Sequence, residues 1–221
     1  MRKIQRLVSV GAMVALSVAL SACGGAPSTE NPATPSPSAT AVPATGDGVT
    51  TPNDVFGAAC SQLPQSAAPG SLNSMGKLPV AAAADTNPQL RELTTALKGA
   101  GLVDTLNGQQ GITVFAPYNP AFDEVKKSMG DAKYNQLLAD KDALGNVLKY
   151  HVVAKRYNRD GLVAAGSVAT LAGGSLQIKM DGDTMTVTDG SGQTAHVLCG
   201  NIPTANSTVF IIDKVLMAQP S

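Results

Sequence analysis

Few side chains in this sequence belong to the types that do chemistry, and their spacing limits what that chemistry could be. There are two histidines, His151 and His196, and three cysteines, Cys23, Cys60 and Cys199. No serine sits in a G-x-S-x-G turn, no H-E-x-x-H occurs, and no two cysteines stand as C-x-x-C. The local signatures of hydrolase nucleophiles, zinc peptidases and dithiol redox centres are therefore missing. The stretch DGDTMTVTDGSG, 181 to 192, carries Asp181 and Asp183 but has Met185 fifth and Gly192 twelfth, so it fails as a calcium loop and reads as a hairpin. His196, in TAHVLCG, is most simply one side chain of a strand. His151, in LKYHVV, closes a helix and opens a strand. A neutral imidazole bonded to backbone in a core suits it better than a general base, since no Ser or Cys is set beside it. A triad assembled through the fold lies beyond local sequence. Asn206-Ser207-Thr208 has the form of an N-glycosylation acceptor but reads as the start of a strand. The expectation is a protein without catalytic residues, metal or cofactor.

Something must position these residues, and composition bounds it. The 221 residues are 43% hydrophobic and 14% charged, with no Trp. That is enough apolar material for one sizeable domain plus extras. The formal charge is zero, which gives no electrostatic reason to expect nucleic acid as a partner.

The first 22 residues read as an export signal. Arg2, Lys3 and Arg6 precede the uncharged run LVSVGAMVALSVAL, 7 to 20, which at 14 residues is short for a membrane span. Leu20-Ser21-Ala22-Cys23 resembles the lipobox of bacterial lipoprotein precursors, which implies a diacylated Cys23 as the first mature residue. The alternative is ordinary cleavage after an Ala, with Cys23 incidental. Two acyl chains hold a protein at a membrane far more firmly than one. An acyl label lost in Cys23→Ala is the expected result; equal labelling of both proteins would exclude lipidation. Removing Arg2, Lys3 and Arg6 leaves 16 − 3 = 13 basic against 16 acidic residues, a net charge of −3, so lipid and not charge would be the anchor.

Residues 23 to 52 then form a lipidated N-terminus and tether. Between 24 and 52 there are six Pro, six Thr, five Ala and three Ser, with two charges and no Leu, Ile, Met or aromatic residue. Such a stretch buries too little to offset chain entropy and is expected to be disordered. Ser and Thr interleaved with Pro also make Thr50 and Thr51 candidates for O-glycosylation, the alternative being an unmodified spacer.

The domain is expected over 53 to 221. Asn53 or Asp54 would cap a short helix carrying Val55, Phe56 and Ala59 on its apolar face. Asn87 and Pro88 open a helix through Leu90, Leu93 and Leu97 that stops at Gly99 and Gly101, and LVDTLN adds a turn. Ile112 to Phe115 read as a strand, followed by a helix with Asn119 as cap and Pro120 at its first position. Helical spacing continues from 131 to 151. From about 166 the period changes to two, giving short strands separated by Gly, Asp and Asn turns. Helices first and strands last indicate an α+β fold. In an exported protein Cys60 and Cys199 are most economically paired, although two buried thiols would satisfy the same sequence.

Three ordered segments carry a resemblance: ITVFAPYNPAF (112 to 122), LKYHVV (148 to 153) and STVFIIDKVLMA (207 to 218). Together they resemble the fasciclin domain, and the upstream segments and the placement of Cys60 and Cys199 are similar to its bacterial secreted and lipoprotein branch. The resemblance implies a single β-wedge with helices packed around it, working in adhesion or surface recognition and not as an enzyme. It associates the Tyr150-His151 box with adhesion. The sequence departs from the family at Tyr118, where Thr or Ser is usual, which places candidate binding residues at Tyr118 and Asn119. The expected protein is a lipid-anchored, monomeric surface module, partly released, meeting a host-cell or matrix protein or glycan. A carrier of an apolar ligand or lipid is the alternative.

Overall fold

The computed structural model describes residues 47–218. It is α+β, as expected. A seven-stranded mixed sheet runs in the order β2-β1-β7-β6-β5-β4-β3. The strands are β1 (Ile112–Pro117), β2 (Val152–Val153), β3 (Ser167–Ala169), β4 (Ser175–Asp181), β5 (Thr184–Thr188), β6 (Thr194–Pro203) and β7 (Ser207–Ile212). β1 and β7 pair in parallel with Phe115 opposite Phe210, and every other pairing is antiparallel. The two ends of the sheet approach each other, since Leu171 N–H, just after β3, donates to Val152 O of β2 at 2.7 Å.

Every residue of β1 and β7 is buried, because each strand is covered on both faces. On one face Val114, Val209 and Ile211 pack beneath helices. On the other Phe115, Phe210 and Ile212 fill the wedge with Leu176, Ile178, Met185 and Val187. β6 bends between these two layers, with register irregularities between Val197 and Cys199 and between Cys199 and Ile202, as bulges allow.

The helices are α1 (Leu72–Met75), α2 (Val80–Thr86), α3 (Arg91–Ala100), α4 (Val103–Gly108), α5 (Asn119–Met129), α6 (Asp131–Ala139), α7 (Lys141–Tyr150) and α8 (Arg159–Ala165). The continuous helical signal over 131–151 divides at Asp140, whose carboxylate caps α7 by accepting from Asp142 and Ala143 N–H. Asn206 ties the helical layer to the sheet. Its Oδ1 accepts from Val80 N–H at 2.8 Å and its Nδ2 donates to Leu106 O and Gln109 O. A residue so buried and so fully bonded is no glycan acceptor.

Two expectations change at the N-terminal side. The packed chain starts before residue 53: Thr208 Oγ1 donates to Gly48 O at 2.8 Å, and Thr50 is 7% exposed. Thr50 is therefore a poor O-glycosylation site, and Thr51, although exposed, donates its hydroxyl to Asp54 Oδ2 at 2.7 Å. Residues 53–56 also do not start a helix. Phe56 forms an antiparallel bridge with Gly200 of β6, and only Ala58–Gln62 wind into a 3-10 turn with no buried residue. Cys23 and residues 24–46 lie outside the described residues.

Candidate functional site

β1 ends at Pro117, and the chain turns outward at Tyr118 to start α5. Tyr118 N–H still donates to Ile212 O at 3.1 Å, so the backbone here is an extension of the sheet. Tyr118 itself occupies the cap position of α5, with Asn119 and Pro120 inside the helix. The amide of Asn119 does not cap. Its Oδ1 accepts from Glu92 N–H at 3.1 Å and its Nδ2 donates to Pro88 O at 2.9 Å. It stitches α5 to the start of α3, satisfying a donor that the first turn of a helix leaves open. Asn119 is thus structural in the first instance.

Tyr118 is half-buried. Its ring rests against the helical-side core, and its hydroxyl bonds to no described residue. Partial burial, with Glu124 and Asp213 nearby, raises its pKa above the usual 10.0, so it stays a neutral phenol. It opens onto a groove of about 1010 Å³ that also takes in Phe56 to Ala59, Gln62, Gln89, Arg159, Asp183, Thr184 and His196.

His196 lies on this groove, held by a neighbouring strand. Its Nδ1 is 2.9 Å from Asp213 Oδ2, and its backbone N–H donates to Asp213 Oδ1 at 2.7 Å. With Nδ1–H donating to the carboxylate, the ring is fixed in orientation and Nε2 is left for the groove. The groove offers this imidazole no serine or cysteine to activate. No trio of His, Cys, Asp or Glu placed to hold a metal occurs among the described residues.

Tyr150 and His151 are 1% and 2% exposed. The Tyr150 hydroxyl accepts from Gly190 N–H at 2.9 Å. His151 Nδ1 meets Val147 O at 2.8 Å, which fixes the proton there, and Nε2 accepts from Leu216 N–H at 2.9 Å. Burial lowers its pKa from 6.5 to about 4, against the opposing effects of the Val147 carbonyl and Asp189. Neither side chain can touch a partner from this position. Any effect of this pair on adhesion runs through the fold.

Cys60 and Cys199 are joined, with Cα atoms 4.9 Å apart. Since 58–62 has no fully buried residue, this bond joins the Phe56–Gly200 bridge in attaching one groove wall to β6. The apolar interior is nearly full. The cavity between α2, α3 and the sheet, and the one beneath α5 to α7, each leave about 20 Å³. That is near the space one water requires and far too little for an acyl chain.

The fasciclin domain family matches residues 88–218, more than half of the chain, and the chain belongs to that family. It is similar to mycobacterial proteins named as cell surface glycolipoproteins and immunogenic proteins. Over 171 residues it is 39% identical to the cell surface glycolipoprotein MPB83 of Mycobacterium bovis, covering 74% of this chain and 72% of that protein. Over the same length it is 39% identical to the immunogenic protein MPT70 of Mycobacterium tuberculosis, covering 74% and 82%. A solved FAS1 domain pair from the insect cell adhesion molecule fasciclin I is 24% identical, with a TM-score of 0.47 over 58% of this chain and 45% of that one. That likeness is too distant to bear on function.

Proposed function

We propose that this chain is a non-catalytic binding module held at the outer face of the cell membrane by an acylated Cys23. Residues 24–46 serve as the spacer, and the domain recognises a host-cell, matrix or envelope component. The observation that carries this reading is the groove beside β1, where Tyr118 offers an uncommitted hydroxyl and a half-exposed ring. The relatives named as cell surface glycolipoproteins support a surface location. No helix among the described residues is long and apolar enough to cross a membrane. The interior cavities of about 20 Å³ give no support to carriage of a lipid.

Tyr118→Ala tests the proposal, with melting read alongside because the ring also rests against the helical-side core. Binding of the coated protein to host cells or matrix should fall about tenfold, as for a central aromatic contact, well beyond what the accompanying small drop in melting accounts for. Binding equal to wild type, or a loss that only follows loss of folding, would remove the site from the groove.

A further inference from the structure

One cation of the groove is built with more structure than a surface charge requires. Arg159 opens α8, and its guanidinium carbon stands 4.8 Å from the centre of the Phe56 ring. Phe56 is itself fixed. It bridges Gly200 through the backbone and meets the buried Phe210 edge-on at 6.2 Å. Gly200 has to be glycine, because a Cβ there would run into the Phe56 ring. Gly57 has φ 109°, and a Cβ on it would strike the Leu198 carbonyl.

Asn201 completes the support. It is one of two non-glycine residues with positive φ among the described residues, at 59°, a conformation that costs free energy. From there its Oδ1 accepts from Arg159 N–H at 2.8 Å and its Nδ2 donates to Asp54 O at 3.0 Å. A single buried amide therefore fixes both the start of α8 and the segment that carries Phe56. Yet the guanidinium supported in this way makes no salt bridge or side-chain hydrogen bond among the described residues. A planar fork of donors, stacked on an aromatic ring and left unpaired beside a groove, is suited to a carboxylate.

We propose that Arg159 is the anion-recognising residue of the groove and that its ligand is an acidic polysaccharide whose uronate carboxylate it pairs. This inference rests on the groove being the binding surface. A glycan fits the surroundings better than an acidic peptide. The groove supplies the Tyr118 hydroxyl, the Gln62 and Gln89 amides and the oriented imidazole of His196, all suited to sugar hydroxyls.

The test is calorimetric titration of the intact protein in detergent with a galacturonate oligosaccharide, its methyl ester and a polyglutamate of equal charge. Only the free uronate should bind. Arg159→Met, which keeps the apolar cover on Phe56, should weaken it about tenfold or more with melting unchanged, and Arg159→Lys should recover only part. No uronate binding, equal binding by Arg159→Met, or equal binding of the methyl ester would overturn the proposal. Equal binding of polyglutamate would overturn the choice of a glycan. If Tyr118→Ala still abolishes cell binding while uronate fails to bind, the groove stands as the site and only the ligand assignment falls.

Discussion

Replacing Cys60 and Cys199 together by Ala is expected to destabilise the domain by about 4–5 kcal/mol, the chain-entropy value for closing so long a loop. The two residues are 139 apart in sequence, so most of the domain, though not β7, lies within the loop. At this size such a loss corresponds to a fall in melting temperature on the order of 10 °C. The local consequence is more specific. The wall at 58–62 has no fully buried residue, so without the bond it is held only from its ends, by the Phe56–Gly200 bridge and the buried Leu63, and by the Gln89 amide on Gln62 O. Calorimetry of the double variant, with wild type in reductant alongside, reads the first effect. Amide exchange over 57–62 reads the second and should accelerate well before the sheet opens. An unchanged melting temperature would show that the bond adds little to a fold already closed by β6 and β7.

His151 makes stability fall in mild acid. Its pKa is about 4 in the folded protein against 6.5 for an unperturbed histidine. The unfolded chain therefore takes up the proton first as pH falls. The contribution is complete above about pH 6.5 and is lost as pH drops towards 4. From these two values the loss is about 2 kcal/mol by pH 5 and about 3 kcal/mol by pH 4. Protonation would also remove the acceptor for Leu216 N–H, which helps to hold the segment after β7. Denaturant midpoints between pH 7 and 4 check this against His151→Gln, which should start lower but change less over that range. Parallel curves for the two proteins would show that other groups set the acid dependence.

Much of the frame is written locally. The β-branched run at 112–115, the Asn-Pro start of α5 and the Gly-separated alternating strands after 166 each follow from short-range preference, and each is present. What escaped is what non-local packing makes. The run Val80–Ala84 lacks a polar face, so no amphipathic period marks α2, although Asn206 and the sheet secure it. α8 is only seven residues long and shows no capping box. Phe56 looks like part of a helical face but is drawn into a bridge by Gly200, which lies 144 residues further on. The groove has the same character. His196 and Asp213 are 17 residues apart and meet only because β6 and β7 pair. Arg159 reaches Phe56 only through the fold. Asn119 was legible as a helix-start residue, but its bonds to Pro88 and Glu92 depend on how α3 and α5 pack.

The most direct test of the groove as the recognition surface is position-specific capture. A photo-crosslinking residue is introduced in place of Tyr118 and, in a second protein, in place of the exposed Lys127 on α5. Both proteins are displayed on living cells with the partner surface present. Crosslinking at position 118 and little at 127, with the 118 adduct competed away by unlabelled wild-type protein, is the predicted result. Equal yields at the two positions, or capture at 127 alone, would contradict a binding surface centred on Tyr118.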